Sequence, residues 1–350
     1  MIDEKELSKL ALESKNKKKN IKTKEEEDRN IAEWQMFYLS NLDIFTEEFL
    51  EIPLHYFQKQ ILLQAWDSDV DDIVASRGLS KSFVISILAN DLALLMPNIQ
   101  IAVTSMTLGQ ANKILNDKIG ELLCGDKRGI SPILRQMRKD GYIKFGKDDT
   151  GNGAVINYGN GSKIFSVLCG EGGRSNRSNI VITDEAVLVK KKDYDAIIEP
   201  TLEPYNFNGL FLEPKQIFMT SAKTKDNWFY THLINTVNQH YTNKRAKYNF
   251  FSGDIFMAVA NGIQTKKQYE MRRANTDDLT FEEEYLNLWL GEKEGSLYKY
   301  DDFHKSQVIE KPFYIRTAME YLEEKEIKYD FNEDEIRYLT MDIAVAGELS

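Results

Sequence analysis

Two pairs of polar residues in this 350-residue chain have types and surroundings suited to phosphate chemistry. Lys81 and Ser82 stand at a turn between a short β-prone run and a long apolar segment, and Asp184 and Glu185 end a run of four strand-like residues. A lysine can neutralise terminal phosphates, a hydroxyl and a carboxylate can hold Mg²⁺, and a second carboxylate can polarise an attacking water. The two pairs, in this order along the chain, indicate nucleotide hydrolysis.

The segment from Asp71 to Asn90 predicts a strand, a tight turn and a buried helix, which is the layout of a P-loop. In the pattern G-x-x-x-x-G-K-[ST], the two glycine positions hold Ala75 and Ser80, so the match is incomplete. A downstream strand that ends in two acids fits a Walker B element and strengthens the interpretation. The predicted phosphate-binding residues are Ser76, Arg77, Gly78, Leu79, Ser80, Lys81 and Ser82.

These motifs resemble those of the large terminase subunit, the ATP-driven DNA-packaging motor of tailed bacteriophages. The resemblance is carried by Arg77 four residues before Lys81, by the relaxed glycines, by the Asp184-Glu185 pair and by a later Thr-Ser-Ala run. It covers roughly residues 50 to 290 and a trace of the next domain. It implies an α/β P-loop NTPase of the RecA/ASCE-like type, with a central, mainly parallel sheet flanked by helices.

The resemblance also implies ATP and Mg²⁺ as cofactors and assigns roles to single residues. Ser82 and Asp184 would hold Mg²⁺, Glu185 would activate water, and Arg77 would stabilise the transition state within its own subunit. The coupling motif of the family, in which a strand-end hydroxyl senses the γ-phosphate, matches Thr220, Ser221 and Ala222.

A glycine-rich loop with two arginines, residues 170–178, precedes the Walker B strand. Terminases place arginines in this region, and one is thought to act on the ATP of a neighbouring subunit. A guanidinium can neutralise charge on the transferring phosphoryl group. Arg174 is the first candidate for this trans-acting residue and Arg177 the second. The alternative is a surface loop whose arginines bind DNA phosphates or nothing.

A glutamine ahead of the P-loop strand resembles the adenine-reading glutamine of terminases and helicases. Its amide can donate to and accept from the adenine edge at the same time. Gln58 is the first candidate by position and Gln60 the second. The alternative is a polar residue on an exposed helix face.

The predicted domain organisation has four parts. Residues 1–30 form a charged N-terminal arm, 31–290 the ATPase domain, 291–335 linker and covering elements, and 336–350 the start of an RNase H-like nuclease domain. Within the second part, 31–50 predict a small helical lid subdomain, 142–168 added antiparallel strands, and 281–290 a helix. Asp342 would be the first metal-binding acid of the nuclease. A chain that stops at Ser350 has no room for the others, so nuclease activity is expected only of a longer chain.

The resemblance implies several partners and a place of action. The partners are viral double-stranded DNA, the portal protein and the small terminase subunit, and the chain would form a homo-oligomeric ring, a pentamer, on the procapsid. This places it in the host cell cytoplasm at the procapsid portal, without a membrane and not as a stable part of the virion. Because the net charge is −10, any contact with DNA must come from local basic patches. Lys190-Lys-Lys192 is one such patch, and the alternative is that this cluster is only solvated.

The leading hypothesis is therefore an ATP-hydrolysing motor subunit that translocates viral DNA into a procapsid. A RecA-like helicase or translocase is the first alternative, although no second set of parallel strands is visible after Ser221. A nucleotide-binding assembly protein that does not hydrolyse is the second, because the P-loop glycines are missing. The presence of Glu185 argues against that second alternative.

Overall fold

The described part of the chain contains ten strands, eight of them in one sheet. The computed structural model describes residues 24–170, 176–207, 209–243, 245 and 247–291, with residues 24–30 only as helical backbone. The strands are β1 Val70–Ala75, β2 Gln100–Ser105, β3 Ile143–Lys147, β4 Ala154–Tyr158, β5 Lys163–Leu168, β6 Ile180–Asp184, β7 Tyr205–Phe207, β8 Leu210–Leu212, β9 Lys215–Thr220 and β10 Tyr248–Gly253.

The large sheet has the order β10-β1-β9-β6-β2-β5-β4-β3. Its first six strands are mutually parallel, whereas β4 and β3 are added antiparallel at one end. Strands β7 and β8 form a separate antiparallel pair. The prediction of a mainly parallel sheet with added antiparallel strands is confirmed.

Helices flank this sheet. They are α1 Lys24–Ser40, α2 Tyr56–Asp67, α3 Lys81–Leu95, α4 Leu108–Lys113, α5 Pro132–Lys139, α6 Trp228–Thr242, α7 Ile255–Ala260, α8 Lys266–Asn275 and α9 Asp278–Glu284. Shorter helical segments are Leu42–Ile44, Phe45–Phe49, Ala186–Leu188, Lys191–Asp193, Tyr194–Ile198 and Glu199–Thr201, and a π-helical stretch, Ile114–Leu123, continues α4.

The core lies on both faces of the sheet. Because successive side chains of a strand point to opposite faces, neighbouring residues of β1 enter different clusters. Ile73 packs in the cluster that contains Ile85 of α3, and Val74 packs in the cluster that contains Phe218 and Phe229. Helix α3 is buried along nearly its whole length, as its apolar sequence predicts.

Two segments differ from the prediction. The helix predicted over 281–290 is α9, which begins after the cap Asp277, whose side chain accepts from the Thr280 N–H, and ends at Glu284. Helix α1 runs across the predicted boundary at residue 30. The helical segments over 31–50 contact α2 and α3, whereas the P-loop itself is contacted by residues 253–285. The remainder of the predicted arm and residues 292–350 lie outside the described residues.

A buried acid on α3 makes the stability of this fold depend on pH. Asp91 is fully buried, its Oδ2 accepts a hydrogen bond from Thr46 Oγ1 at 2.6 Å, and burial raises its pKa to about 8. An unfolded aspartate has a pKa of about 3.9. Between these values the folded chain holds a proton that the unfolded chain has lost, so stability is greatest on the acid side and falls as the pH rises towards 8.

We expect this group to lower the free energy of unfolding by up to about 1.4 kcal/mol for each pH unit within that window. Asp91→Asn keeps an acceptor oxygen for Thr46 and cannot ionise, so its stability should depend less on pH. Denaturant unfolding of both chains at a series of pH values from mildly acidic to mildly basic measures the difference. Parallel curves for the two chains would show that Asp91 is ionised in the fold at neutral pH.

Candidate nucleotide site

The motif residues converge where three neighbouring parallel strands end. In the sheet, β9 lies between β1 and β6, with Val74 beside Thr220 and Met219 beside Asp184. The carboxyl ends of parallel strands meet at one edge of a sheet, and ligands bind there in open α/β folds. The loop after β1 is therefore separated by one strand, β9, from the two acids at the end of β6.

Lys81 connects two of these strand ends. Its side chain is 8% exposed, and its Nζ donates to the Ala75 and Ser76 carbonyls, the latter at 3.2 Å, and to Ser221 Oγ at 3.3 Å. Burial lowers the pKa of Lys81, and the nearby carboxylates of Glu185 and Asp184 oppose that shift. The structure thus brings the predicted Walker A lysine, the coupling serine and the two Walker B acids together.

The P-loop backbone keeps its form without the usual glycine. Ser80 replaces the second glycine of the pattern and takes the left-handed conformation, with φ 65° and ψ 21°, just before α3 begins. Such a conformation is costly for a residue with a Cβ and persists when its surroundings determine it. Gly78, with φ +86°, supplies the other left-handed position in the turn.

Four backbone N–H groups of this turn are free to bind an anion. The N–H groups of Gly78, Ser80, Lys81 and Ser82 make no hydrogen bond to any described residue. The Ser76 hydroxyl is buried and also lacks a partner there. Free amides at a helix N-terminus, beside a buried cation, make a binding site for phosphate groups.

The two acids at the end of β6 differ in conformation and environment. Asp184 is partly buried, and its pKa is raised to about 6 by desolvation and by Glu185, against the opposing charges of Lys81 and Lys118. Glu185 takes the left-handed conformation, with φ 49° and ψ 48°, ahead of a 3₁₀ turn. A strained residue that carries a carboxylate often marks a functional position.

The residues present fit a magnesium ion of the P-loop type. The Ser82 hydroxyl makes no hydrogen bond among the described residues, and Asp184 is a desolvated carboxylate at the end of β6, on the other side of β9. Within the described ranges no group of three or more His, Cys, Asp or Glu side chains could hold a metal ion. Nucleotide-bound Mg²⁺ takes only one or two protein ligands and completes its shell with phosphates and water.

A segment outside the sequence motifs covers the P-loop. Gln264 is 5% exposed, and its Nε2 lies 3.5 Å from the Arg77 carbonyl and 3.4 Å from the Gly78 carbonyl. Arg272 Nη1 donates to Gln264 Oε1 at 2.6 Å, and the Arg272 guanidinium lies over the ring of Tyr285. The only sequence signal for this arginine is the basic pair that it forms with Arg273.

The same segment holds the strand ends in place. The Arg77 N–H donates to the Glu284 carbonyl at 2.7 Å, while the Arg77 side chain is exposed. The Asn287 side chain accepts from the Ala222 N–H at 3.0 Å and donates to the Val74 carbonyl at 2.8 Å. It thereby ties the predicted coupling segment to the strand that carries the P-loop.

The glutamine candidates take different positions on α2. Gln58 is buried, and its Oε1 accepts from the His55 N–H at 2.8 Å, which closes a capping box at the start of the helix. Its amide Nε2 donates no hydrogen bond within the described part of the chain. Gln60 is exposed. A contact of either residue with adenine stays a prediction.

The second trans-finger candidate lies on the surface. Arg177 Nε pairs with Glu203 Oε1 at 3.2 Å, and its Nη1 donates to the Pro200 carbonyl at 3.0 Å. Neither contact involves the P-loop. Arg174 and the predicted nuclease acid Asp342 lie outside the described residues.

Comparison with solved structures shows which known fold this chain shares. Neither a protein-family model nor a curated protein matches the chain. The large terminase ATPase domain of Thermus phage P74-26 is similar in structure, at a TM-score of 0.51 and 16% identity over 70% of this chain and 97% of that chain. The chain has the fold of the phage large terminase ATPase domain. The bacteriophage HK97 large terminase has a TM-score of 0.50 at 16% identity, and the match covers 68% of this chain and 51% of that one.

The terminase-type P-loop fold predicted from the sequence is confirmed, since both neighbours share it. Among the described helices, none is long and apolar enough to cross a bilayer.

Proposed function

We propose that this chain is the ATP-hydrolysing motor subunit that translocates viral double-stranded DNA into a procapsid. The observation that carries the proposal is the convergence of Lys81, Asp184, Glu185 and Ser221 on the free amides of the P-loop turn. The terminase ATPase fold supports the same conclusion, because the site lies at the strand ends that this fold uses for nucleotides.

In the proposed mechanism each side chain has one task. The P-loop amides and Lys81 bind the phosphates of ATP, and Ser82 and Asp184 would hold Mg²⁺, which supplies charge neutralisation at the transferring phosphoryl group. The Glu185 carboxylate orients the attacking water and accepts its proton. Ser221, within hydrogen-bond distance of Lys81, senses the terminal phosphate and passes its loss to β9.

Partners and location belong to the same proposal. The chain would act with the portal protein and the small terminase subunit, as a pentameric ring on the procapsid in the host cell cytoplasm. The ring supplies the trans-acting arginine. A nuclease domain would follow in a longer chain, with Asp342 as its first acid.

The test is release of phosphate from ATP by the purified chain, measured with and without double-stranded DNA. Hydrolysis that duplex DNA stimulates, with no separation of the strands of a forked duplex, supports a packaging motor. Strand separation would instead identify a helicase. Nucleotide binding without any hydrolysis, under conditions that permit assembly, would identify the non-hydrolysing assembly protein.

Arg272 gives a sharper test of the site. Its guanidinium lies close to the P-loop, since a Cβ built on Gly78 would lie 3.4 Å from Arg272 Nη1. We expect Arg272→Gln to weaken binding of ATP by about tenfold or more and binding of ADP less, because a hydrogen-bonded charge pair is worth about 1.5–3 kcal/mol.

The neighbouring Arg273 is the matched control. Its Nη2 donates to Asp278 Oδ1 at 2.6 Å, and its guanidinium lies over the ring of Phe281. Arg273→Gln removes the same charge from the same helix and should leave both affinities within about twofold of the wild-type values. Fluorescent nucleotide titrations measure both. Equal losses in the two variants would show a general charge effect rather than a contact of Arg272 with nucleotide.

A further inference from the structure

A concentration of positive charge in the described part of this acidic chain lies away from the nucleotide site. Residues 127–147 contain seven basic side chains and a single acid, in a chain whose net charge is −10. We call this surface the basic edge. Its basic residues are Lys127, Arg128, Arg135, Arg138, Lys139, Lys144 and Lys147.

Three segments form the basic edge as one continuous surface. Helix α5 packs on β3, where the Arg138 guanidinium lies 4.6 Å from the centroid of the Phe145 ring. A Cβ built on Gly141, in the turn between them, would lie 3.7 Å from Lys144 Cε. Lys127, Arg128 and Arg138 line a common hollow with the two acids Glu121 and Asp126.

The basic side chains of this edge have no carboxylate partner at ion-pair distance within the described part of the chain. None of its seven basic side chains forms an ion pair there, whereas Lys59, Lys223 and Arg273 elsewhere pair with carboxylates. The one acid of the segment, Asp140, accepts from Gln136 Nε2 instead. An unpaired basic surface on an acidic protein fits a polyanion.

Protection of a sheet edge explains only part of this charge. β3 is the outermost strand, and exposed lysines on an edge strand discourage pairing with other chains. Lys144 and Lys147 fit that role. The exposed charges of Lys127, Arg128 and Lys139 lie on the adjoining loop and helix, where no strand edge needs protection.

We propose that the basic edge binds the phosphate backbone of double-stranded DNA. The choice of DNA as the polyanion rests on the proposed function. Binding of single strands relies on open aromatic rings on which bases stack. Here the Phe145 ring lies under Arg138, and the Tyr142 ring, although 36% exposed, packs one side against Gly159. Lys144 and Lys147 alternate on the two faces of the outer strand, so the rim carries positive charge on both sides.

The test compares two variants with the same change in charge. Lys144→Gln/Lys147→Gln removes two exposed charges of the basic edge, and Lys190→Gln/Lys192→Gln removes two exposed charges from another basic cluster. Each phosphate contact contributes roughly eightfold to affinity near 0.1 M salt. The first variant should therefore bind a short duplex roughly 50-fold more weakly and lower the salt slope by about 2. The second should stay within about twofold of wild type.

Fluorescence anisotropy without nucleotide, over a series of salt concentrations, gives these numbers. Equal losses in both variants, no loss in the first, or tighter binding of single-stranded DNA or of RNA than of duplex DNA overturns the proposal. Thermal unfolding of each variant should match the wild type, because none of the four lysine side chains makes a described hydrogen bond to a neighbour. ATP turnover is measured in parallel, so a failure of the proposed function is seen separately from a failure of DNA binding.

Discussion

Glu185→Gln is expected to lower ATP turnover by roughly 10³-fold and to leave the affinity for ATP within about threefold of the wild-type value. A positioned general base contributes about 10²–10⁴ to a rate. Glutamine keeps the size of the side chain, and so the strained backbone at this position, but cannot accept the proton of water. Because no phosphate contact is assigned to Glu185, binding should survive while turnover fails.

Lys81→Ala should instead lose both binding and turnover. The lysine ammonium is the buried cation of the site, and its Nζ already bridges the P-loop carbonyls and Ser221. Its removal takes away both the charge that compensates the phosphates and the link between β1 and β9. We expect ATP affinity to fall by roughly tenfold or more, since a charged hydrogen bond is worth about 1.5–3 kcal/mol.

For both variants, titration of a fluorescent ATP analogue measures the affinity and phosphate release measures the turnover. Loss of binding in Lys81→Ala alone, with loss of turnover in both, agrees with the assigned roles. Similar loss of ATP affinity in Glu185→Gln and Lys81→Ala would contradict them. Full turnover in Glu185→Gln would assign the base to another residue.

The sequence could predict the sheet because its signals are local. The apolar run of β6 that ends in two acids and the Asn160-Gly161 turn, with φ +85° at the glycine, each depend on a few adjacent residues. Parallel strands then bring their carboxyl ends to one edge, so Lys81 and Asp184 had to approach each other.

The contacts between the P-loop and the segment that covers it could not be predicted in the same way. Gln264 contacts a P-loop carbonyl 186 positions earlier in the chain, and no periodicity or motif reports so distant a contact. The left-handed Ser80 is a second case, because its conformation is imposed by the turn and by α3 rather than preferred by serine. The lid over 31–50 stays a prediction: its apolar pattern predicts burial, and the segment packs on α2 and α3.

The other large effect concerns catalysis between subunits. An isolated chain should be a slow ATPase, and Arg174→Ala should lower the turnover of the assembled ring by roughly 10³-fold, the size of effect that arginine fingers have. Arg177→Ala is the alternative. Arg77, which lies within the P-loop, is proposed to act in its own subunit.

The ion pair that holds the Arg177 side chain is weak enough to be broken. The ion pair with Glu203 joins side chains that are 63% and 51% exposed, and pairs so exposed contribute little to stability. A neighbouring subunit that offers the phosphates of ATP therefore competes with a weak contact. Glu203→Gln should leave the turnover of the assembled ring unchanged or slightly raised if Arg177 is the trans finger.

Mixing of inactive chains decides between the two arginines. A Lys81→Ala chain keeps its finger and has no working site, and an Arg174→Ala chain keeps its site and has no finger, so turnover should reappear in a mixture that assembles. A mixture of Lys81→Ala with Glu185→Gln is the control, because both chains lack a working site and no finger can restore one. If the first mixture assembles but its turnover does not exceed the sum of the two separate chains, Arg174 is not the trans finger. A mixture of Lys81→Ala with Arg177→Ala then tests whether Arg177 is the trans finger. If neither mixture recovers while the wild-type ring is fast, the charge on the transferring phosphoryl group is neutralised within one subunit. Among the described arginines, Arg77 and Arg272 lie near the P-loop and are the candidates for that role.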